Sequence, residues 1–267
     1  METKETKSSN GFQLSAGLVI AICFVIALLF FKLVLGADSN FMNNDPNNHS
    51  INIMGTIYKG GIIVPVIQSL LLTVIVLSTE RFFAIKKANG TGSLVKFVQN
   101  IKAALQNGDV EEAEKLCAKQ KGSVGNVVSS ALIKYREMEN ATALSKEQKL
   151  ITIQKEIEEA TALELPTLEQ NLGVIATMTT LGTLLGLLGT VIGMIGAFAA
   201  LANAGSPDSV KLSEGISEAL INTAFGIATA AAAVVSYNYF TSKIDKITYC
   251  IDEVGFTIVQ SYSATHE

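Results

Sequence analysis

The sequence lacks most of what a metal site, a disulfide framework or a hydrolytic centre requires. Its two histidines, His49 and His266, stand in polar segments without partner ligands, so they read as solvated surface side chains. Its three cysteines, Cys23, Cys117 and Cys250, are far apart and odd in number, and no two form a C-x-x-C pair. They read as free thiols. There is no Ser/His/Asp set, no phosphate loop and no pair of acids suited to hydrolysis, so neither enzyme chemistry nor a cofactor is expected. Charge is scarce too, with only 16% of residues Asp, Glu, Lys or Arg. A net charge of −4 gives no reason to expect nucleic acid as a partner.

What the chain does have is long uncharged runs, and a mean hydropathy of +0.38. A membrane helix needs about 20 apolar residues to cross about 30 Å of hydrocarbon. Four stretches qualify: 14–35, 60–79, 172–204 and 216–240. The first carries only Lys32, close enough to its end to snorkel. Its apolar core is longer than that of a signal peptide, and Met1–Asn10 mixes Glu2 and Glu5 with Lys4 and Lys7. An uncleaved anchor is therefore expected. The third run is longer than the bilayer is thick and should tilt or protrude.

Lysine and arginine crowd the connection 80–171, whereas 36–59 offers only Lys59 and 205–215 only Lys211. That asymmetry places both termini and the middle domain in the cytoplasm. The expected fold is all-α, a polytopic membrane protein of four transmembrane helices, the last two long and extending into a helical cytoplasmic domain. The chain then divides into a cytoplasmic N-terminus (1–13), the first span (14–35), an outer loop (36–59), the second span (60–79) and the helical domain (80–171). The third span (172–204), a short outer loop (205–215), the fourth span (216–240) and a cytoplasmic tail (241–267) complete it. Asp38–Ser50, rich in Asn and Asp and carrying Pro46, reads as irregular linker.

Within 80–171, Leu94, Val95, Val98, Ile101 and Leu105 recur at helical spacing, as do Val127, Val128, Ala131, Leu132 and Tyr135. A third stripe comprises Leu150, Ile153, Ile157, Ala160, Leu163 and Leu168. Asp109 with Glu112 and Ser145 with Gln148 have capping-box spacing. Pro166 either kinks its helix or caps a new one. Glu80-Arg81, with Lys86 and Lys87, reads as a charged anchor closing the second span, and Tyr237 and Tyr239 as interfacial aromatics.

The third span carries the most distinctive pattern. Gly182, Gly186, Gly189, Gly193 and Gly196 are spaced 4, 3, 4 and 3, a heptad seam of glycine on one helix face. Lipid tails are as apolar as leucine, so helices associate in membranes where small residues let backbones approach. The seam predicts close packing within the chain, between subunits or around a guest helix. Thr183, Thr190 and Ala197, seven apart, flank it. A threonine hydroxyl can bond its own helix; with the seam, these positions make a polar, non-ionisable pore or groove wall the favoured reading. In the last span Asn222, Thr223 and Thr229 are polar, and Glu218 is the only carboxylate in any span. Glu218 reads equally as a functional intramembrane acid and as an interfacial anion favoured by the helix N-terminus. With no acid deeper, a proton carrier would have to come from another polypeptide.

Leu184-Leu185-Gly186-Leu187-Leu188-Gly189-Thr190-Val191-Ile192-Gly193-Met194 resembles the signature of the MotA/TolQ/ExbB proton-channel family. So does Gly215-Ile216-Ser217-Glu218-Ala219-Leu220-Ile221-Asn222-Thr223-Ala224-Phe225-Gly226, followed by Tyr237-Asn238-Tyr239-Phe240. The similarity runs from about Gly60 to Asp245 and is closest to ExbB. The resemblance implies a homo-pentamer in the bacterial inner membrane around two copies of an ExbD- or TolR-like single-helix partner, whose membrane Asp carries the proton. It further implies that proton passage drives partner rotation and that force reaches a TonB-like protein serving outer-membrane receptors. By position, Thr190 and Thr223 match the family's pore threonines and Glu218 its motif glutamate. The family often has Pro where Thr183 stands and Ala where Asn222 stands, and the first span is extra to the three-helix ExbB/TolQ plan. A TolQ-like role in envelope maintenance, a MotA-like stator and a non-conducting scaffold are the competing readings.

Overall fold

The computed structural model describes residues 15–46, 48–203 and 209–265. The N-terminus 1–13, Ala204, residues 205–208 of the short outer loop and His266 lie outside them. The described chain is all-α, without a strand, and four of its helices are long and apolar enough to cross a membrane. The helices are α1 (Ala16–Phe30), α2 (Ile53–Lys59), α3 (Ile63–Ala88), α4 (Leu94–Gln106) and α5 (Val110–Gln120). They continue as α6 (Gly122–Asn140), α7 (Lys146–Glu169), α8 (Leu172–Asn203) and α9 (Ser209–Thr265). Two compact units form. One gathers the chain up to Ser78 with Val174–Val235; the other gathers Thr79–Gly173 with the chain from Ser236 on.

In the first unit, α1 buries Val19, Cys23 and Ala27, one residue per turn, and ends in a π-helical turn, Phe31–Leu35. Asp38–Ser50 is not the irregular linker its composition predicts, since it holds two 3-10 turns, Asp38–Asn40 and Met42–Asn44. Buried Asn40 donates from Nδ2 to the carbonyls of Val34 (2.7 Å) and Leu35 (3.0 Å), capping the end of that π turn. Its Oδ1 accepts from Asn52 Nδ2 at 2.9 Å, while Asn52 Oδ1 caps α2 by accepting from the Gly55 N–H. Such side-chain bonds to backbone are what make asparagine a turn residue, and here they link successive turns into one fold. The Tyr58 ring stacks on Phe31 and meets the edge of buried Phe41. Gly36 is required at this point, because a Cβ there would lie 2.6 Å from the Tyr58 ring.

The second unit is a helical domain. Leu94, Val98, Ile101 and Leu105 are buried as their spacing predicts. Val95 is exposed because it stands 100° around the helix from Leu94. Leu163 is exposed for the same reason: it lies well off the stripe that buries Ile153 and Leu168. Ser145 and Gln148 form the full capping box. Asp109 caps α5 through the Glu112 N–H, but its own N–H is bonded to the Ala104 carbonyl, so Glu112 does not reach back. Pro166 lies inside α7, in its last turn, and neither starts a new helix nor ends this one.

Residues 236–265 of α9 form one long wall of this domain, burying Ile244, Ile247, Ile251, Val254, Ile258 and Tyr262. Lys102 pairs with Glu253 at 2.6 Å, Ser261 donates to the Leu105 carbonyl at 3.2 Å, and the Tyr135 and Tyr262 rings meet edge to face.

Glu80-Arg81 is not a surface anchor. Arg81 is 2% exposed, while Lys86 and Lys87 remain in solvent. Arg81 Nε donates to Glu80 Oε2 at 2.7 Å, and a second guanidinium N–H reaches Glu80 Oε1. Nη1 donates to the carbonyls of Thr167 (3.0 Å) and Leu168 (3.4 Å), two of the last carbonyls of α7, which have no partner within their own helix. Asn171 Nδ2 donates to Glu80 Oε2 at 3.4 Å, and Asn171 takes a left-handed φ of 62° where α7 gives way to α8.

The cysteines are buried free thiols. Burial and the nearby Glu114 carboxylate push the Cys117 thiol up to about 12. The unfolded thiol ionises near pH 8.5, so above that pH the unfolded chain binds fewer protons than the folded one. This contribution to stability is whole below about pH 8.5 and declines as pH rises toward 12. Cys117 should therefore resist iodoacetamide at pH 8 in the folded protein and react at the rate of a free thiol in denaturant, as mass spectrometry of the Cys117 peptide will read.

Candidate functional site

The glycine seam closes α8 onto α9 within the chain. A Cβ on Gly182 would lie 3.0 Å from the Gly226 carbonyl oxygen, and one on Gly186 3.1 Å from Gly226 Cα. On Gly189 it would lie 2.4 Å from Asn222 Cβ, and on Gly193 2.9 Å from Ala219 Cβ. Gly196 has nothing within 4 Å and takes no part. Of the three packings the seam allows, four glycines are thus committed to the intrachain one.

The partner face on α9 is Gly215, Ala219, Asn222 and Gly226, spaced 4, 3 and 4. This counter-seam was legible in the sequence as a second run of small residues at heptad spacing. Asn222 masks the pattern by interrupting it with a larger polar side chain. Gly189 provides the room for that side chain.

Asn222 is buried. Its Nδ2 donates to the Gly60 carbonyl at 3.0 Å, at the corner between α2 and α3, and its Oδ1 is buried without a protein partner. One residue joins α8, α9 and the start of α3 at this point. Thr223 crosses between helices, donating to the Gly186 carbonyl at 3.1 Å. Thr190 bonds its own helix at the Leu187 carbonyl (2.6 Å), as do Thr183 at Thr179 (3.1 Å) and Thr229 at Phe225 (2.8 Å). The structure therefore does not bring Thr190 and Thr223 into contact through their hydroxyls.

Glu218 is half-buried one helical turn before Asn222, and Lys59 and Glu214 are the charged groups whose fields reach it. Glu214 itself contacts the His49 imidazole, so His49 is solvent-exposed yet tied to α9.

Turned away from the glycine face, Thr190 borders an open concavity of about 510 Å3 with Val191, Met194, Ile195 and Phe198. Leu184, Leu187, Leu188, Val191 and Ile195 are exposed along the same helix. In sum the site is a two-helix wall, held by close backbone contact, with Thr183, Thr190 and several apolar side chains on its uncovered side. Among the described residues no group of His, Cys, Asp or Glu could hold a metal ion.

The sequence pattern of the MotA/TolQ/ExbB proton channel family matches residues 125–253. Over 200 residues the chain is 26% identical to a protein of Methanothermobacter thermautotrophicus named as a biopolymer transport protein ExbB homolog, covering 73% of this chain and 66% of that one. It is 32% identical over 84 residues to the Tol-Pal system protein TolQ of Haemophilus influenzae, covering 32% of this chain and 37% of TolQ. The chain thus spans less than two thirds of the length of either relative. The family pattern runs from α6 across the seam and counter-seam into the C-terminal wall of the helical domain, and over these residues the chain is similar to the MotA/TolQ/ExbB proton channel family.

Proposed function

We propose that the chain is the scaffold subunit of an inner-membrane motor that spends the proton gradient to energise TonB-dependent outer-membrane transport, working with an ExbD-like partner. The observation that carries this reading is the division of labour on α8. Its glycine face is filled by α9, its Thr190 side is open, and no span contains a carboxylate deeper than Glu218. A carboxylate deep in hydrocarbon is costly, and it is tolerated when it faces a polar interior. A guest helix bearing an Asp would meet Thr190 in such an interior once several copies of this chain surround it. Thr190, Thr223 and Glu218 then line the proton route, with Thr183 and Asn222 beside it, and Gly182, Gly186, Gly189 and Gly193 hold the wall in shape. Both termini and the helical domain lie in the cytoplasm, following the lysine and arginine asymmetry.

The match to TolQ supports a second reading, in which the same motor serves envelope maintenance through a TolR-like partner. Purification from native membranes tests both. A small single-helix protein with a membrane Asp should come along, and its own partners separate the two. Thr190→Val should abolish energised uptake of an iron chelate while the protein still assembles. Thr223→Val should do the same, and Thr223→Ser, which keeps a donor for the Gly186 carbonyl, should restore uptake. Normal uptake in both valine variants refutes the assignment.

A further inference from the structure

The helical domain has a groove of about 970 Å3 that the proton route does not use, formed by α3 from Phe82 on, the start of α4 and residues 239–253 of α9. Its floor is apolar: Ile85, Leu94, Val98, Phe240 and Ile247 are buried there. Phe82, Tyr239 and Tyr249 stand exposed at its mouth. Three ammonium groups rim it, those of Lys86, Lys243 and Lys246, all in solvent. Of the two carboxylates in the lining, Glu253 is taken by Lys102, which leaves Asp245 against the three cations. Lys243 Nζ lies 5.5 Å above the Tyr239 ring, an amphipathic pair of the kind that sits at headgroup level.

We propose that this groove binds one anionic phospholipid, its phosphate on the lysine rim and its acyl chains along the apolar floor. Two observations favour a lipid over a protein segment. The walls are the residues with which α3 and α9 continue directly from their apolar runs, so along both helices the groove begins where the hydrophobic run ends. The cationic rim also complements the negative cytoplasmic leaflet, where each nearby lysine adds to the attraction. The inference rests on the cytoplasmic orientation proposed above, but not on proton conduction.

The test uses the full chain, purified in mild detergent with whatever partner accompanies it. Native mass spectrometry counts bound dipalmitoyl phosphatidylglycerol against dipalmitoyl phosphatidylcholine. Phosphatidylglycerol should be retained at least tenfold better. Lys86→Gln/Lys243→Gln/Lys246→Gln should erase that preference, and Lys119→Gln/Lys121→Gln, outside the groove, should not. Val95→Trp fills the groove from an exposed position that does not threaten the fold, and should lower retention of both lipids. Equal retention of the two lipids, or an unchanged preference in the triple variant, overturns the proposal. So does a Val95→Cys variant that cross-links to a second copy of the chain in native membranes, which makes the groove a subunit contact. Labelling of Lys246→Cys by an impermeant maleimide from the outer side only would overturn the orientation, and with it the match of this rim to the cytoplasmic leaflet. The Thr190→Val variant should hold lipid normally, which separates failure of the pore reading from failure of this one.

Discussion

Gly226→Ala should lower the thermal midpoint of the detergent-solubilised protein by about 5 °C, and Gly196→Ala should raise it by about 2–4 °C. At Gly226 a Cβ would lie 2.5 Å from the Gly182 carbonyl oxygen and 2.7 Å from Gly186 Cα. Both atoms are backbone, so no side chain can swing aside, and the methyl group must push α8 and α9 apart along the whole seam. Overpacking of this kind costs about 1–3 kcal/mol, and each kcal/mol moves the midpoint of a domain this size by about 2–4 °C. Alanine also favours a helix over glycine by about 1 kcal/mol, which offsets part of the loss. At Gly196 a Cβ meets nothing, so only that favourable part remains. Gly226→Leu should go further and prevent the hairpin from forming, which loss of the monodisperse species in size-exclusion chromatography will report. Equal midpoints for Gly226→Ala and Gly196→Ala would remove the ground for a backbone-to-backbone seam.

Arg81→Ala should cost about 3–5 kcal/mol, which exceeds what the loss of a surface anchor would cost. The guanidinium is 2% exposed and satisfies four acceptors on two segments of chain. Removing it leaves the partly buried Glu80 carboxylate short of its counter-charge and the last carbonyls of α7 without donors. Arg81→Lys should recover little, because one ammonium cannot reproduce a planar fork that engages a carboxylate and two carbonyls together. Arg81→Met/Glu80→Gln should recover more, since neither residue then carries a buried charge. Chemical denaturation of the full chain followed by far-ultraviolet circular dichroism measures the series. Insensitivity of the wild-type value to added salt between about 0.1 and 1 M should mark the pair as buried, because exposed pairs are screened.

Much of this fold is written in periodicity. The four long runs, the stripes over 94–105 and 127–135 and the capping box at Ser145 follow from spacing and hydropathy alone, because helical geometry converts spacing directly into a face. The glycine seam on α8 is equally plain. What occupies it is not, since close packing within a chain and between chains asks for the same small residues, and only the second run on α9 decides. Composition misleads at two places. Asp38–Ser50 looks like linker because asparagine is common in linkers, yet the amides of Asn40 and Asn52 are used pairwise inside a fold. Arg81 stands among lysines and reads like them, but burial depends on the carbonyl ends of α7, which arrive from 86 residues along the chain. The open side of α8 was legible as a row of leucine, valine and isoleucine beside Thr190; its uncovered state was not, because the sequence does not say how many copies assemble.

The small folded cap between the first two spans has a consequence for swapping parts between relatives. Phe31 at the end of the first span, Phe41 in the loop and Tyr58 in α2 share one aromatic core, and Asn40 ties the π turn to Asn52. The end of the first span, the loop and α2 are therefore one packed unit. Any chimera with a three-helix relative should exchange residues 16–59 as one cassette, because a cut inside it strands half of a core on each side of the junction.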